Sequence, residues 1–463
     1  MIQAASHYYL DPFGCVKNQV DAENMMAHLN NSGWENVTDA EQADLIIVNS
    51  CGFIESAKKE SINAVLEWRK LYPDKKILLA GCLSQRYAKE LKGMLTEVDG
   101  FIGVTDPEMI VEEAFNLKIL NEDLLKQENN RKINLNTGER PLLSMPGSAY
   151  VKISDGCDNK CSYCAIPLIR GGLVCRSIPD ITEECRALIA RGIKELCIIG
   201  QDIGAYAEEF SSKRGESTVR GNKEEEREAK SGLPDLLQAI SEIKGDFWIR
   251  LLYIHPDHFP LEILDIIERD KRFLPYFDIP FQHASQKILA AMNRRGSSEK
   301  YLELIKTIRA RLPDAVIRST FLLGFPGETD EDFSALLDFQ KKAKIDWLGC
   351  FAYSREEGTA AYSMKGQVPE KTAQTRKQLI EERQVPITEK NMDRFTDLTL
   401  DILIEEQIDN FYLGRLYCQA PDIDGAALIA NSSAHNEILK LGTIVSCKVI
   451  ARRGIDLEVR VIN

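Results

Sequence analysis

"SDGCDNKCSYC", residues 154–164, places Cys157, Cys161 and Cys164 in a C-x3-C-x2-C spacing directly after "SAYVKIS" (148–154), a run that reads as a buried strand. Working outward, the same strand signal returns in "ELCIIGQ" (195–201), "FWIRLLYI" (247–254), "YFDIPFQ" (276–282), "AVIRSTFLLGF" (315–325) and "DWLGCFAYS" (346–354). Segments with apolar residues three or four apart separate them, among them "TEECRALIARG", "LEILDIIERD", "YLELIKTIRARL" and "DEDFSALLDFQKKAK". Six such βα units predict a partial (β/α)6 barrel, with the chemistry on loops at the carboxyl ends of the strands. The cysteine loop follows the first of those strands.

Upstream, residues 1–120 alternate "HYYL", "ADLIIVNS", "KKILLAG" and "VDGFIG" with amphipathic runs, which predicts a parallel sheet of Rossmann or flavodoxin type covered by helices. Residues 121–147 are polar and weakly periodic, as expected of a linker. The barrel region spans 148–395 and closes on a long helical pattern, "PEKTAQTRKQLIEERQVPITEKNMDRF" (369–395). Within it, 208–232 is charged and poor in apolar residues, a surface insertion. Residues 396–463 are β-rich with turns, the pattern of a small β-barrel. The overall class is α/β.

Three cysteines are one short for zinc, whose sites are usually paired C-x2-C knuckles. The next cysteine, Cys175, lies eleven residues beyond Cys164, past Pro167 and the Gly171-Gly172 pair. Three thiolates can instead hold three irons of a cubane cluster and leave the fourth iron open, whereas electron-transfer clusters use four cysteines. S-adenosylmethionine (SAM), with amino and carboxylate groups beside a sulfonium, suits an open iron and is a source of radical chemistry. Zinc, or plain packing of buried thiols, is the alternative.

A second set lies in the first 120 residues. Cys15, Cys51 and Cys82 each follow a predicted strand, in "FGCVKN", "NSCGF" and "AGCLS", and each has a glycine next to it. Their separations of 36 and 31 residues are each about one βα unit, so all three fall where a parallel sheet opens a ligand crevice. A second cluster is the reading; buried small hydrophobes are the alternative. Cys185 lies in a helical pattern, Cys197, Cys350, Cys418 and Cys447 in strand patterns, and Cys175 after the glycine pair; packing is expected for all six. Gln282 and His283 end a strand and are weaker candidates for ligand contact. "GFPGETDEDF" (324–333) is either a cradle for a nucleoside or amino-acid group or a tight, well-capped βα turn. No histidine is given a catalytic role.

The chain has 463 residues, 58 Lys plus Arg against 71 Asp plus Glu, a net charge of −13. That balance favours a basic protein partner over nucleic acid. Twelve cysteines without a visible signal peptide or an 18-residue apolar run argue for a cytoplasmic protein with metal or buried thiols, not a disulfide framework or a membrane span.

With both cysteine sets in view, the chain resembles the radical-SAM methylthiotransferase family over nearly its whole length. "CDNKCSYC" matches the radical-SAM signature, and the terminal β-barrel resembles a TRAM domain. "GCVKNQVDAE" (14–23), "NSCGFIESAKKES" (49–61) and "APDIDGAAL" (420–428) resemble the RimO-type branch, which modifies an aspartate of small-subunit ribosomal protein uS12. The branch that modifies a tRNA adenosine (N6-isopentenyladenosine-type) typically has Gln-Met where Val16-Lys17 stand. "LDPFGC", Cys175 in place of a serine and the 208–232 insertion depart from the pattern without removing a ligand.

The resemblance implies two 4Fe-4S clusters and SAM. One cluster sits on Cys157, Cys161 and Cys164, with Tyr163 near the nucleoside. The other sits on Cys15, Cys51 and Cys82 and carries the sulfur. No side chain is expected to act as a catalytic acid or base, since the clusters and the SAM radical carry the chemistry. The expected partners are uS12 and an electron donor such as flavodoxin or ferredoxin, with no membrane. From Thr396 onward there are ten acidic and six basic residues, a net −4, which suits a basic ribosomal protein and not a phosphate backbone. The tRNA-modifying activity is the near alternative, and an iron–sulfur electron carrier or redox sensor the distant one.

Overall fold

The computed structural model describes residues 6–104, 106–117, 139–207, 231–409, 411–430 and 439–462. Residues 118–120 at the end of the expected first domain, 121–138 of the expected linker and 208–230 of the expected insertion lie outside the described residues.

The first layer runs β1 (Ser6–Pro12), α1 (Val16–Asn31), β2 (Trp34–Asn36), β3 (Leu45–Ser50), α2 (Glu55–Leu71), β4 (Lys76–Gly81), α3 (Cys82–Met94), β5 (Gly100–Phe101) and α4 (Met109–Asn116). The strands form one parallel sheet in the order β2-β1-β3-β4-β5. "LIIVNS" is buried at every position because helices cover both faces of β3. Leu45, Ile47, Leu78 and Ala80 pack toward Met25, Leu29 and Ile110 of α1 and α4. Their neighbours Ile46, Val48, Ile77 and Leu79 pack toward Val65 and Leu83 of α2 and α3. The strand period of two therefore sorts one apolar run into two cores.

The central sheet carries β6 (Ser148–Lys152), a two-strand ribbon of β7 (Ser154–Asp155) and β8 (Val174–Cys175) around α5 (Ile166–Arg170), then α6 (Ile178–Ala190), β9 (Glu195–Ile199), α7 (Leu233–Ser241), β10 (Trp248–Leu251), α8 (Ile263–Arg269) and β11 (Phe273–Asp278). It continues with α9 (Gln286–Ala291), α10 (Ser298–Arg311), β12 (Val316–Leu323), α11 (Asp330–Ala343), β13 (Trp347–Ala352) and α12 (Glu370–Met392). Six parallel strands lie in the order β13-β12-β11-β10-β9-β6, so the chain adds each new strand at the same edge, as a partial barrel requires. One face, with Val151, Ile198, Ile249, Phe277 and Ile317, packs on the helices. The alternate residues, Tyr150, Cys197, Trp248, Tyr276 and Trp347, share a core with the C-terminal unit.

That unit is a closed barrel of β14 (Thr399–Ile408), β15 (Phe411–Leu416), β16 (Ala427–Ala430), β17 (Ile444–Arg453) and β18 (Asp456–Val461), ordered β14-β15-β16-β18-β17. Cys418, expected in a strand, stands in the turn after β15, where its carbonyl accepts the Trp347 indole N–H at 2.7 Å. The alternation in "FYLGRLYC" runs past the last paired residue, so periodicity alone overshoots the strand end.

One buried ion network joins the two β-units. Glu195, at the start of β9, accepts from Arg250 at 2.7 Å and from Arg415 of the terminal barrel at 2.5 Å, and Ser148 donates to it at 2.8 Å. Arg415 also pairs with Glu405 at 2.7 Å. Burial alone would raise the Glu195 carboxyl, but Arg415 and Arg250 override it and hold the group down at about 2. Glu195→Gln leaves the buried Arg250 without a carboxylate and Arg415 with Glu405 alone, and the expected loss is about 3–5 kcal/mol. It is read as a lower urea midpoint and faster hydrogen exchange in β14–β18. Because the folded value lies below the unfolded value of about 4.3, the stabilisation is complete above that pH. It is lost as pH falls through about 2, so the difference between wild type and Glu195→Gln shrinks over that window.

Candidate functional site

Cys15, Cys51 and Cys82 follow β1, β3 and β4, three adjacent strands of the first sheet, and so gather at its carboxyl edge. Cys15 is the N-cap of α1 and Cys82 stands at the first position of α3. Two glycines make the approach possible. Gly81 has φ +95°, and a Cβ there would meet the Ser50 carbonyl at 2.5 Å. A Cβ on Gly52 would meet the Cys82 carbonyl at 2.6 Å. Asn18, one turn into α1, accepts from Cys82 Sγ at 3.0 Å and donates to the Ser50 carbonyl at 2.8 Å, tying all three loops together.

Cys157, Cys161 and Cys164 lie on the loop that the β7–β8 ribbon closes. Gly156 has φ +72°, and a Cβ there would stand 2.0 Å from the Gly172 carbonyl, so the Gly171-Gly172 pair and Gly156 form the neck of the loop. Asp158 caps Leu173 N at 3.0 Å, and Cys157 N donates to the Gly171 carbonyl at 3.2 Å. Arg294 is buried behind the loop, with Nη1 4.0 Å from Cys161 Sγ and 3.4 Å from the Tyr163 hydroxyl. The Tyr163 ring packs on a buried group that includes Ile288, Met292 and Phe325.

The remaining six cysteines are all buried, whereas of the two trios only Cys82 is. That contrast separates ligand candidates from packing residues. Burial pushes the thiols of Cys82, Cys157 and Cys164 up to about 12 and raises that of Cys51. A metal's positive charge is what such a pocket lacks to hold thiolates, so both donor sets fit an iron–sulfur group.

The first trio meets the barrel at Cys82, close to the loop of the second. Cys82 and Val104 share an apolar cluster with Ala165 and Ile169, and Ala165 is the neighbour of Cys164. Arg170, 4% exposed, spans the polar part of this contact. It reaches Cys82 Sγ at 3.4 Å, Asn18 Oδ1 at 2.8 Å, Asp21 at 2.8 Å and Asp155 at 3.0 Å. Lys152 pairs with Asp21 and, at 3.1 Å, with Asp155. Lys17 completes the wall: its Nζ sits 2.8 Å from the centre of the Tyr253 ring, and burial pushes its ammonium down to about 7 against the pull of Cys15 and Asp278.

Sequence reasoning did not single out Arg170, Asn18, Arg294 or Lys17. The one visible signal was Lys17, a cation in the first turn of a helix, where the dipole disfavours it. Asp202, His255 and His258 also come together, with donor atoms within 4.8 Å of one another. Both Asp202 oxygens are already taken: Oδ1 by the amides of Gly204 and His255 at 3.1 Å each, and Oδ2 by Asn159 at 2.8 Å and His258 Nδ1 at 2.7 Å. This group ties the cysteine loop to the ends of β9 and β10. His283 is fully buried, with Nδ1 accepting from Ser285 N at 2.9 Å, and faces Glu328. The Glu328 carboxylate takes the amides of Gly324 and Phe325 at 2.7 and 3.2 Å, which makes "GFPGETDEDF" a self-satisfied turn with a capping box at Thr329. No helix among the described residues is long and apolar enough to cross a membrane.

Three family models match the chain: Uncharacterized protein family UPF0004 over residues 7–103, the Radical SAM superfamily over 151–339 and the TRAM domain over 398–462. Among curated proteins, the ribosomal protein uS12 methylthiotransferase RimO of Treponema denticola is 47% identical, covering 97% of this chain and 99% of that one. The protein of the same name from Thermosipho africanus is 40% identical over 90% and 92% of the two chains. Among solved structures, the radical SAM methyltransferase TsrM from Kitasatospora setae, with cobalamin and a [4Fe-4S] cluster bound, aligns with TM-score 0.53 at 14% identity, over 78% of this chain and 77% of that one. That likeness speaks to the fold alone. Identity near one half along essentially the full length does more: the chain belongs to the RimO family of radical-SAM methylthiotransferases.

Proposed function

We propose that the chain replaces a hydrogen on the β-carbon of an aspartate in ribosomal protein uS12 by a methylthio group, using SAM and two 4Fe-4S clusters. The observation that carries this reading is the contact of Cys82, one of the first trio, with Ala165, Ile169 and Arg170 just past Cys164 of the second, in a chain of this family. Cys157, Cys161 and Cys164 are assigned to the cluster that binds SAM, with Tyr163 beside the nucleoside, and Cys15, Cys51 and Cys82 to the other. When bound, the first group supplies the electron that cleaves SAM to a carbon radical, and the second supplies sulfur.

The chain's own residues do the positioning. The Gly156–Gly172 neck fixes the loop, Arg294 lies against Cys161, and Arg170 donates toward Cys82 while its carboxylate partners hold it in place. The apolar contact of Cys82, Val104, Ala165 and Ile169 keeps water from one side of the gap, which protects a reactive intermediate. The working division is 1–120, 148–395 and 396–463, with 121–147 as connection. The acidic terminal barrel suits docking of a basic ribosomal protein, and a one-electron donor such as flavodoxin or ferredoxin in the cytoplasm completes the system.

The test is a paired assay under strict anaerobiosis: reconstituted enzyme, SAM, sulfide and reductant with uS12 in one tube and unmodified tRNA in another, read by mass spectrometry. A methylthio group on the aspartate-bearing peptide alone is expected. Modification of tRNA alone overturns the substrate assignment and keeps the two-cluster chemistry.

A further inference from the structure

Lys17 is a buried cation without a carboxylate. It is 7% exposed, and among the described residues its Nζ has the Tyr253 ring as partner and no ion pair. Each of the other buried arginines has a carboxylate or carbonyl partner, although Arg250 Nη2 and Arg294 Nε are left unpaired among the described residues. Arg140, Arg170, Arg250, Arg376 and Arg415 hold carboxylates, while Arg294 donates to the Pro280 carbonyl at 2.7 Å and to Tyr163. Leaving a charge unpaired in a desolvated pocket is costly, and proteins rarely do so without a use for it. The helix adds to the cost, since Lys17 sits in the first turn of α1, at the positive end of its dipole.

The carboxylates around Lys17 are already engaged. Asp278 accepts from Arg318 at 3.0 Å and from Tyr253 N at 3.3 Å. Asp21 and Asp155 are shared between Arg170 and Lys152. Tyr253 presents its ring from a residue with φ +70°, a backbone strain held just past the carboxyl end of β10. The ring face orients the ammonium by cation–π attraction without neutralising it. Lys17 therefore stands two residues from Cys15, at the seam between the carboxyl edge of the first sheet and the ends of the barrel strands, drawn toward Cys15 and Asp278 but in direct contact with neither.

We infer that Lys17 receives the side-chain carboxylate of the substrate aspartate. The inference rests on the functional reading above and deepens it. In aspartate the carboxylate is bonded to the β-carbon, so one charge-assisted contact fixes the reacting C–H within one bond of the anchor. A neutral side chain of the same shape forfeits the charge in that contact, which makes Lys17 the element that selects aspartate over asparagine.

The experiment uses whole uS12 with its target aspartate or with asparagine at that position, presented to wild-type enzyme and to Lys17→Met, Lys17→Gln and Lys17→Arg. Wild type is expected to favour the aspartate form by about 10-fold or more in kcat/KM, since the amide still accepts a hydrogen bond from Lys17 but loses the charge assistance. Both neutral variants are expected to lose most of that ratio, and Lys17→Arg to keep part of it. Each ratio is taken on one preparation, so incomplete cluster loading scales both substrates alike. Where turnover is too slow to measure, the ratio of dissociation constants for the two forms of uS12 replaces it. A neutral variant that discriminates as well as wild type overturns the inference, as does a wild type that accepts both forms equally. A wild type that modifies neither form of uS12 but does modify tRNA overturns the functional reading instead.

Discussion

Cys161→Ala abolishes SAM cleavage: 5′-deoxyadenosine formation is expected to fall at least about 10³-fold, equivalent to ~4 kcal/mol at 1.36 kcal/mol per decade. The loop offers no substitute ligand. Cys175, the cysteine next in sequence, is buried and paired into the β7–β8 ribbon opposite Ser154. Cys157 and Cys164 are held at fixed points of the loop, Cys157 by Gly171 and Cys164 by the Cys161 carbonyl at 3.1 Å. Two thiolates so constrained cannot regenerate a three-point cradle. The change removes one half-buried sulfur and no apolar core, so the urea midpoint should move by less than about 1 kcal/mol-equivalent. Iron per chain should fall by about half, with the iron held by the other trio remaining. Retained 5′-deoxyadenosine formation would remove Cys161 from the ligand set and with it the reading of the loop.

Most of the fold could be read because parallel strands buried on both faces leave an unmistakable signal. All six barrel strands and four strands of the first sheet fall inside the runs that periodicity marks out, or within three residues of them. β2 was missed since "WEN" is three residues long, and the β7–β8 ribbon since each of its strands has two. Neither can carry a period. The cysteines of both trios were legible for another reason: each sits one step past a strand, a place the topology assigns without any knowledge of contacts.

What the sequence hides is pairing across units. Arg170 carries no local signal of its role, yet it touches Asn18, Asp21 and Cys82, 152, 149 and 88 residues away in sequence. Glu195 reads as the polar start of a strand, yet its partner Arg415 is 220 residues on. Such contacts depend on how three separately folded sheets are docked, and no local pattern encodes that docking. The histidines show the same limit. They look scattered, and only the adjacency of β9 and β10 brings His255 and His258 onto Asp202.

Cys51→Ala separates the two halves of the reaction. Cys51 is held within its own unit, its backbone amide donating to Ser61 Oγ at 3.0 Å. Cys82, by contrast, is joined to Arg170 and to the Ala165–Ile169 cluster, so removing it would disturb both sites at once. With Cys51 replaced, the loop of Cys157, Cys161 and Cys164 keeps its neck, its Arg294 backing and its Asn159–Asp202 tether. SAM cleavage should therefore persist within about 3-fold, while methylthio product falls at least about 10³-fold and iron per chain by about half. The expected signature is 5′-deoxyadenosine without product. If product were still made, the first-sheet cysteines would not carry the sulfur. If cleavage collapsed as well, the interface through Arg170 would couple the sites so tightly that neither assembles without the other, and the charge bracket of Asp21, Asp155 and Lys152 would be the place to look for that coupling.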